Sequence, residues 1–107
     1  MPRQTPLTLT ELIQHVDANI PRRCLYVNEI GEVYRAPASS EEKDLAGKKL
    51  AALLDDGSLA VQFASLMFLS IVPTEDTLIR EAIAKFRTEP RNAEVVKDAD
   101  ERIQSMS

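Results

Sequence analysis

The chain has 107 residues, a formal net charge of −4, 44% hydrophobic and 28% charged residues. That length fits one domain able to bury a modest core, and the composition excludes disorder of the whole chain. The negative balance works against non-specific binding to nucleic acid or an anionic membrane, because no concentration of positive charge offsets it; Arg22 and Arg23 form the only isolated basic pair.

The single cysteine, Cys24, rules out an intrachain disulfide and suits a reducing compartment. Residues 1–7 read as a flexible lead-in without the apolar stretch of a signal peptide. The most apolar run, Leu59 to Val72, is too short for a membrane span of about 20 residues. A cytoplasmic location is expected.

Thr8 and Glu11 fit a capping box, and Leu9, Leu12, Ile13, Val16 and Ile20 recur at near-helical spacing, so a first helix is expected over about Leu9 to Asn19, with Pro21 unable to continue it. From 23 to 36 the character changes. Cys24 and Tyr26 alternate with Leu25 and Val27, Val33 and Tyr34 follow Gly31, and Asn28-Glu29-Ile30-Gly31 lies between. This predicts a β-hairpin with Gly31 supplying a positive φ at the turn. Because a lone hairpin is marginal in water, it should lie on the helices or pair with another chain.

Ser39 and Glu42 form a second capping box, opening a helix to about Asp55 with Leu45, Ala46, Leu50, Leu53 and Leu54 on one side. Gly57 is expected as a left-handed terminating residue and Ser58 as the next N-cap. The third helix, Leu59 to Val72, is apolar nearly all round and belongs in the middle of the fold. After Pro73, a fourth helix over about Glu75 to Thr88 carries Leu78, Ile79, Ala82, Ile83 and Phe86, with Lys85 and Arg87 in its last turn to suit the dipole. Asn92 should cap a fifth helix with Val95, Val96, Ala99, Ile103 and Met106 on one face and a dense row of charge on the other.

The expected architecture is therefore mainly α (α+β) in a single domain, 1–107: an N-terminal helix and β-hairpin over 8–37, then four antiparallel helices over 38–107, since short connections force antiparallel neighbours. Val61, Ala64 and Phe68 match Val96, Ala99 and Ile103 at a shift of 35, and Leu45, Ala46, Leu50 and Leu53 match Leu78, Ile79, Ile83 and Phe86 at a shift of 33. This pattern fits two helical hairpins of about 34 residues. On these residues the chain resembles HEAT-like helical repeats over about residues 40–106. Asp56 with Val61, and Val96 with Lys97, sit where that family places an aspartate closing one helix and a valine–basic pair opening the next. Gln62 and Arg91 depart from the pattern. The resemblance implies protein binding on a helix-lined surface. The alternative is a compact bundle whose hairpins happen to have similar lengths.

No catalytic, cofactor-binding or metal-ligating constellation is legible. His15 and Cys24 are the only candidate base–nucleophile pair, and a helix end separates them. One cysteine and one histidine cannot supply a zinc site. Asp55-Asp56-Gly57 lacks the ladder of oxygen ligands of a calcium loop. The three glycines are scattered, unlike those of a phosphate loop. Between Ala93 and Met106 two basic and four acidic residues give a field that repels DNA.

The expected function is a non-enzymatic protein-binding module: an adaptor, inhibitor, immunity-type protein or secretion chaperone. It would act through the exposed hairpin and the acidic last helix on another protein, with a homodimer as one form. Tyr26, Tyr34, Arg22, Arg23, Glu94, Asp98 and Glu101 are the interface candidates, since tyrosine favours interfaces and acidic residues steer a basic partner. The alternatives are an enzyme or accessory subunit with a carboxylate-based site, and a DNA-binding regulator.

Overall fold

A computed structural model describes residues 8–18 and 23–106. The first helix, α1 (Leu9–Asp17), opens on a complete capping box: the Thr8 hydroxyl accepts from the Glu11 N–H at 3.2 Å, and the Glu11 carboxylate accepts from the Thr8 N–H at 3.1 Å. The Thr8 N–H and the Thr8 hydroxyl, both donating to the Glu11 carboxylate, hold it below the usual carboxylate range. Leu9, Leu12 and Val16 form its buried stripe. Residues 1–7, Ile20, Pro21 and Arg22 lie outside the described residues.

The expected hairpin is not there. Residues 23 to 35 form a second helix, α2 (Arg23–Arg35), and the described residues contain no strand. The fold is all-helical rather than α+β. Val27, Ile30, Gly31 and Tyr34 are the buried residues, at the spacing i, i+3, i+4, i+7 of one helical face. The β-branched and aromatic content reflects burial between helices, and packing overrides local preference. Gly31 is no turn residue: a Cβ placed on it would overlap the ring of Phe68. It lets two helices approach closely.

The remaining helices follow the sequence closely. They are α3 (Ser40–Leu53), α4 (Leu59–Ile71), α5 (Thr77–Thr88) and α6 (Ala93–Ser105), the last preceded by a 3₁₀ turn at Pro90–Asn92. Ser39 caps α3 by accepting from the Glu42 N–H at 3.1 Å, while Glu42 reaches one residue further back to the Ala38 N–H. Ser58 caps α4. Asp76 caps α5, its Oδ1 accepting from the N–H groups of Leu78 and Ile79.

Two local expectations need correcting. Gly57 does not adopt a left-handed conformation; Leu54, itself right-handed helical, ends α3. Asn92 does not cap α6 with its side chain, which donates instead to the Phe86 carbonyl at 3.1 Å and ties the 3₁₀ turn to the end of α5.

The helices stack as successive hairpins in two layers. Helices α2, α4 and α6 pack side by side in one layer, and α1, α3 and α5 lie behind them. Helices α2 and α4 start at the same end of the stack: Arg23 and Cys24 in the first turn of α2 reach Asp56 and Ala60 at the start of α4. The buried set Val27, Ile30, Gly31, Tyr34 of α2 recurs in α4 as Val61, Ala64, Ser65, Phe68, a shift of 34. Likewise Leu12 and Val16 of α1 correspond to the buried Ala46 and Leu50 of α3. The apolar α4 is the central helix, as its sequence requires, touching α2, α3, α5 and α6.

Two arginines join the layers. Arg23 donates through Nε to the Val16 carbonyl at 2.8 Å and grips both oxygens of Asp56 at 3.2 and 2.6 Å, linking α1, α2 and the α3–α4 turn. Arg87 grips both oxygens of Asp100 at 3.2 and 3.0 Å and donates to the Ser70 hydroxyl at 3.2 Å, linking α5, α6 and α4.

Candidate functional site

The sequence-derived interface residues do not form one surface. Tyr34 is 1% exposed and belongs to the core, in contact with the helix that carries Gly47. Tyr26 is half-buried and tilts against His15, ring centroids 4.9 Å apart, at the α1–α2 seam. Arg23 is committed to Asp56. That pairing raises the guanidinium pKa and holds the Asp56 carboxyl below its usual value. Arg22 lies outside the described residues. Glu94, Asp98 and Glu101 are exposed on α6, as the sequence implies. The idea that hairpin strands from two chains pair has no strand to rest on.

What the sequence concealed is the solvent side of α4. Its buried residues cover most of its circumference, but Leu59, Phe63 and Met67 recur at i, i+4, i+8 on the side left over. Leu59 is 69% exposed, and Phe63 and Met67 pack against the core with one side uncovered. The shift of 34 places Leu25, Glu29 and Val33 of α2 in equivalent positions, and a shift of 35 places Glu94, Asp98 and the exposed Arg102 of α6 there. Leu25 is 56% exposed and the three acidic residues are exposed. The outer face of the α2/α4/α6 layer is thus an apolar stripe on the middle helix, extended by Leu25, with carboxylates on the helices to either side. The stripe was hard to find because a helix that is apolar all round does not announce which side stays open.

Two wide, open depressions, of about 520 Å³ beside Arg23 and Ser58 and about 440 Å³ along Leu69, Val72 and Arg87, enclose little, and the two more enclosed clefts are small. A cleft of about 170 Å³ between the ends of α3 and α5 is lined by Leu54, Asp55, Lys85, Phe86 and Arg91. A second, of about 190 Å³, lies over Tyr34. Both fall short of the roughly 300–1,000 Å³ of pockets that enclose drug-sized ligands. His15 and Cys24 do not meet in a hydrogen bond; the thiol donates weakly to the Ala60 carbonyl at 3.8 Å. Among the described residues no group of three or more His, Cys, Asp and Glu could hold a metal ion, and no helix is long and apolar enough to cross a membrane. Comparison with family models, with curated proteins and with solved structures finds no match to the chain.

Proposed function

We propose that this chain is a non-enzymatic protein-binding module whose partner lies across the outer face of α2, α4 and α6. The observation that carries this reading is the open stripe of Leu59, Phe63 and Met67, continued by Leu25; the other exposed large apolar residues, Leu45 on α3, Leu78 on α5 and Met106 after α6, stand singly. Contiguous exposed apolar surface of this kind marks interaction sites. Phenylalanine and methionine are enriched at interface cores, and methionine adapts its shape to a partner. Glu29, Glu94 and Asp98 beside the stripe favour a partner that carries basic residues around apolar ones, and act mainly on its rate of approach. The succession of two-layer hairpins supports a HEAT-like reading with α1 and α2 as a first unit, ahead of the two read from sequence. The half-buried Cys24 suits a reducing, cytoplasmic setting.

The test is affinity capture from native extract with the wild-type chain, a Leu59→Glu/Met67→Glu variant and a control variant on the opposite layer, Glu81→Lys. A partner retained by the wild type and the control but lost by the stripe variant is the expected result. Retention of the same proteins by all three would remove the stripe from consideration.

A further inference from the structure

The cleft over Tyr34 lies apart from that face, on the α3–α5 side, and its unmet groups have a specific chemistry. Tyr34 is 1% exposed, yet its hydroxyl has no hydrogen-bond partner among the described residues. Leaving a buried hydroxyl unpaired is costly, and native proteins rarely do so without reason. Tyr34 lines the cleft, and its enclosed hydroxyl lies near Thr74 and Asp76. Burial pushes the phenol pKa up, and the nearby Thr74 hydroxyl, short of a formed hydrogen bond, offsets part of that rise.

The walls carry one lysine, Lys43, and two carboxylates, Asp44 and Asp76, of which Lys43 and Asp76 are in no ion pair among the described residues. Lys43 Nζ stands 5.9 Å from the centre of the Tyr34 ring and makes only a long 3.5 Å bond to the Pro73 carbonyl. Asp76 uses Oδ1 to cap α5 and leaves Oδ2 without a donor. Asp44, also at the rim, is neutralised by Lys48 at 2.9 Å. A simple anion would meet Asp76, and a simple cation would meet Lys43, so each is opposed by one wall. A molecule carrying both charges satisfies both walls. The volume of about 190 Å³ admits something the size of a small amino acid and excludes a nucleotide.

We propose that this cleft binds a small zwitterion of amino-acid size, its carboxylate toward Lys43 and the Tyr34 hydroxyl, its ammonium toward Asp76. The Tyr34 hydroxyl donates to the carboxylate, which accounts for a buried donor that the chain itself does not satisfy.

The test is a titration of the ¹⁵N-labelled chain with glycine and with L-alanine, followed by amide chemical shifts. Saturable shifts are expected in Ser40–Asp44 and Thr74–Ile79 at millimolar ligand, with acetate alone and methylammonium alone giving much weaker ones. Tyr34→Phe, which removes an unpaired hydroxyl and so leaves the fold intact, should weaken binding about tenfold, the size of one hydrogen bond to a charged group. Lys43→Met and Asp76→Asn should each remove the preference for the zwitterion; asparagine preserves the cap of α5. The proposal is overturned by an absence of saturable shifts at the cleft, by equal response to acetate or methylammonium, or by unchanged affinity in Tyr34→Phe.

Discussion

Gly31 of α2 leaves the space that the ring of Phe68 on α4 occupies; a single methyl group at position 31 would overlap three of its ring carbons. This contact sets the close approach of α2 to the central helix α4. In an open helix, Gly→Ala stabilises by about 1 kcal/mol. Here the sign should reverse, because overpacking a core costs about 1–3 kcal/mol. Gly31→Ala is expected to lower stability by about 2 kcal/mol in urea unfolding. Adding Phe68→Leu should return part of that loss, since residues in contact are not additive. A neutral or stabilising Gly31→Ala would mean that α2 and α4 do not meet there.

Arg23 and Asp56 define the acid sensitivity of the fold. The Arg23 guanidinium, with help from the Ser58 N–H, holds the Asp56 carboxyl below its ordinary value of 3.8. A carboxylate whose folded pKa is depressed adds stability above its unfolded pKa, and that stability is lost as pH falls through the folded value. Asp56→Asn should therefore cost about 1–2 kcal/mol near neutrality, where a bidentate, partly buried pair is lost. The gap between wild type and variant should stay level above the ordinary carboxylate pKa and close as pH drops beneath it. Unfolding curves across that range check this; a gap that widens toward low pH would contradict the assignment.

Among the described residues two buried hydroxyls lack partners, those of Tyr34 and Ser65. Removing a polar group that makes no hydrogen bond relieves a desolvation cost. Tyr34→Phe and Ser65→Ala, without added ligands, are each expected to be neutral or to stabilise by up to about 1 kcal/mol, read as a rise in Tm. A loss greater than about 1 kcal/mol in Tyr34→Phe would show that the hydroxyl is satisfied within the chain.

The exposed leucines contribute little to folding. Leu25→Ser and Leu59→Ser should change stability by no more than about 0.5 kcal/mol, as surface substitutions do. Chemical denaturation of the two variants checks this. A loss of 2 kcal/mol or more would place these side chains in the core and remove them from the recognition face.

Much of this fold is readable from residues alone, and the failures have physical causes. Thr8, Ser39 and Ser58 each mark a helix start because a short oxygen-bearing side chain can satisfy an unpaired N–H, a local matter that needs no knowledge of the rest of the chain. The stripes of α3 and α5 are equally local. The segment from 23 to 35 is different. Its alternating Cys24-Leu25-Tyr26-Val27 and the glycine at 31 satisfy a strand–turn–strand pattern over a few residues, while the helical spacing of Val27, Ile30, Gly31 and Tyr34 spans the whole segment. What decides between them is Phe68, 37 positions away, whose ring needs the missing Cβ. A hairpin at 23–36 also hides the correspondence of α1 and α2 with α3 and α4 and makes Tyr34 an interface candidate. In the proposed recognition face, Glu94 and Asp98 are visible in the sequence as charge, whereas Leu59, Phe63 and Met67 are not separable from the core-facing residues of α4 until its neighbours are in place.

The recognition face is the central claim, and site-specific photocrosslinking in living cells tests it most directly. p-Benzoylphenylalanine would be placed at Phe63, where it replaces another aromatic ring, and in parallel at Glu81 on the exposed side of α5, in the opposite layer. A discrete higher-mass adduct formed from position 63 and absent from position 81 is the predicted result. No adduct from position 63, or the same adducts from both positions, would contradict it.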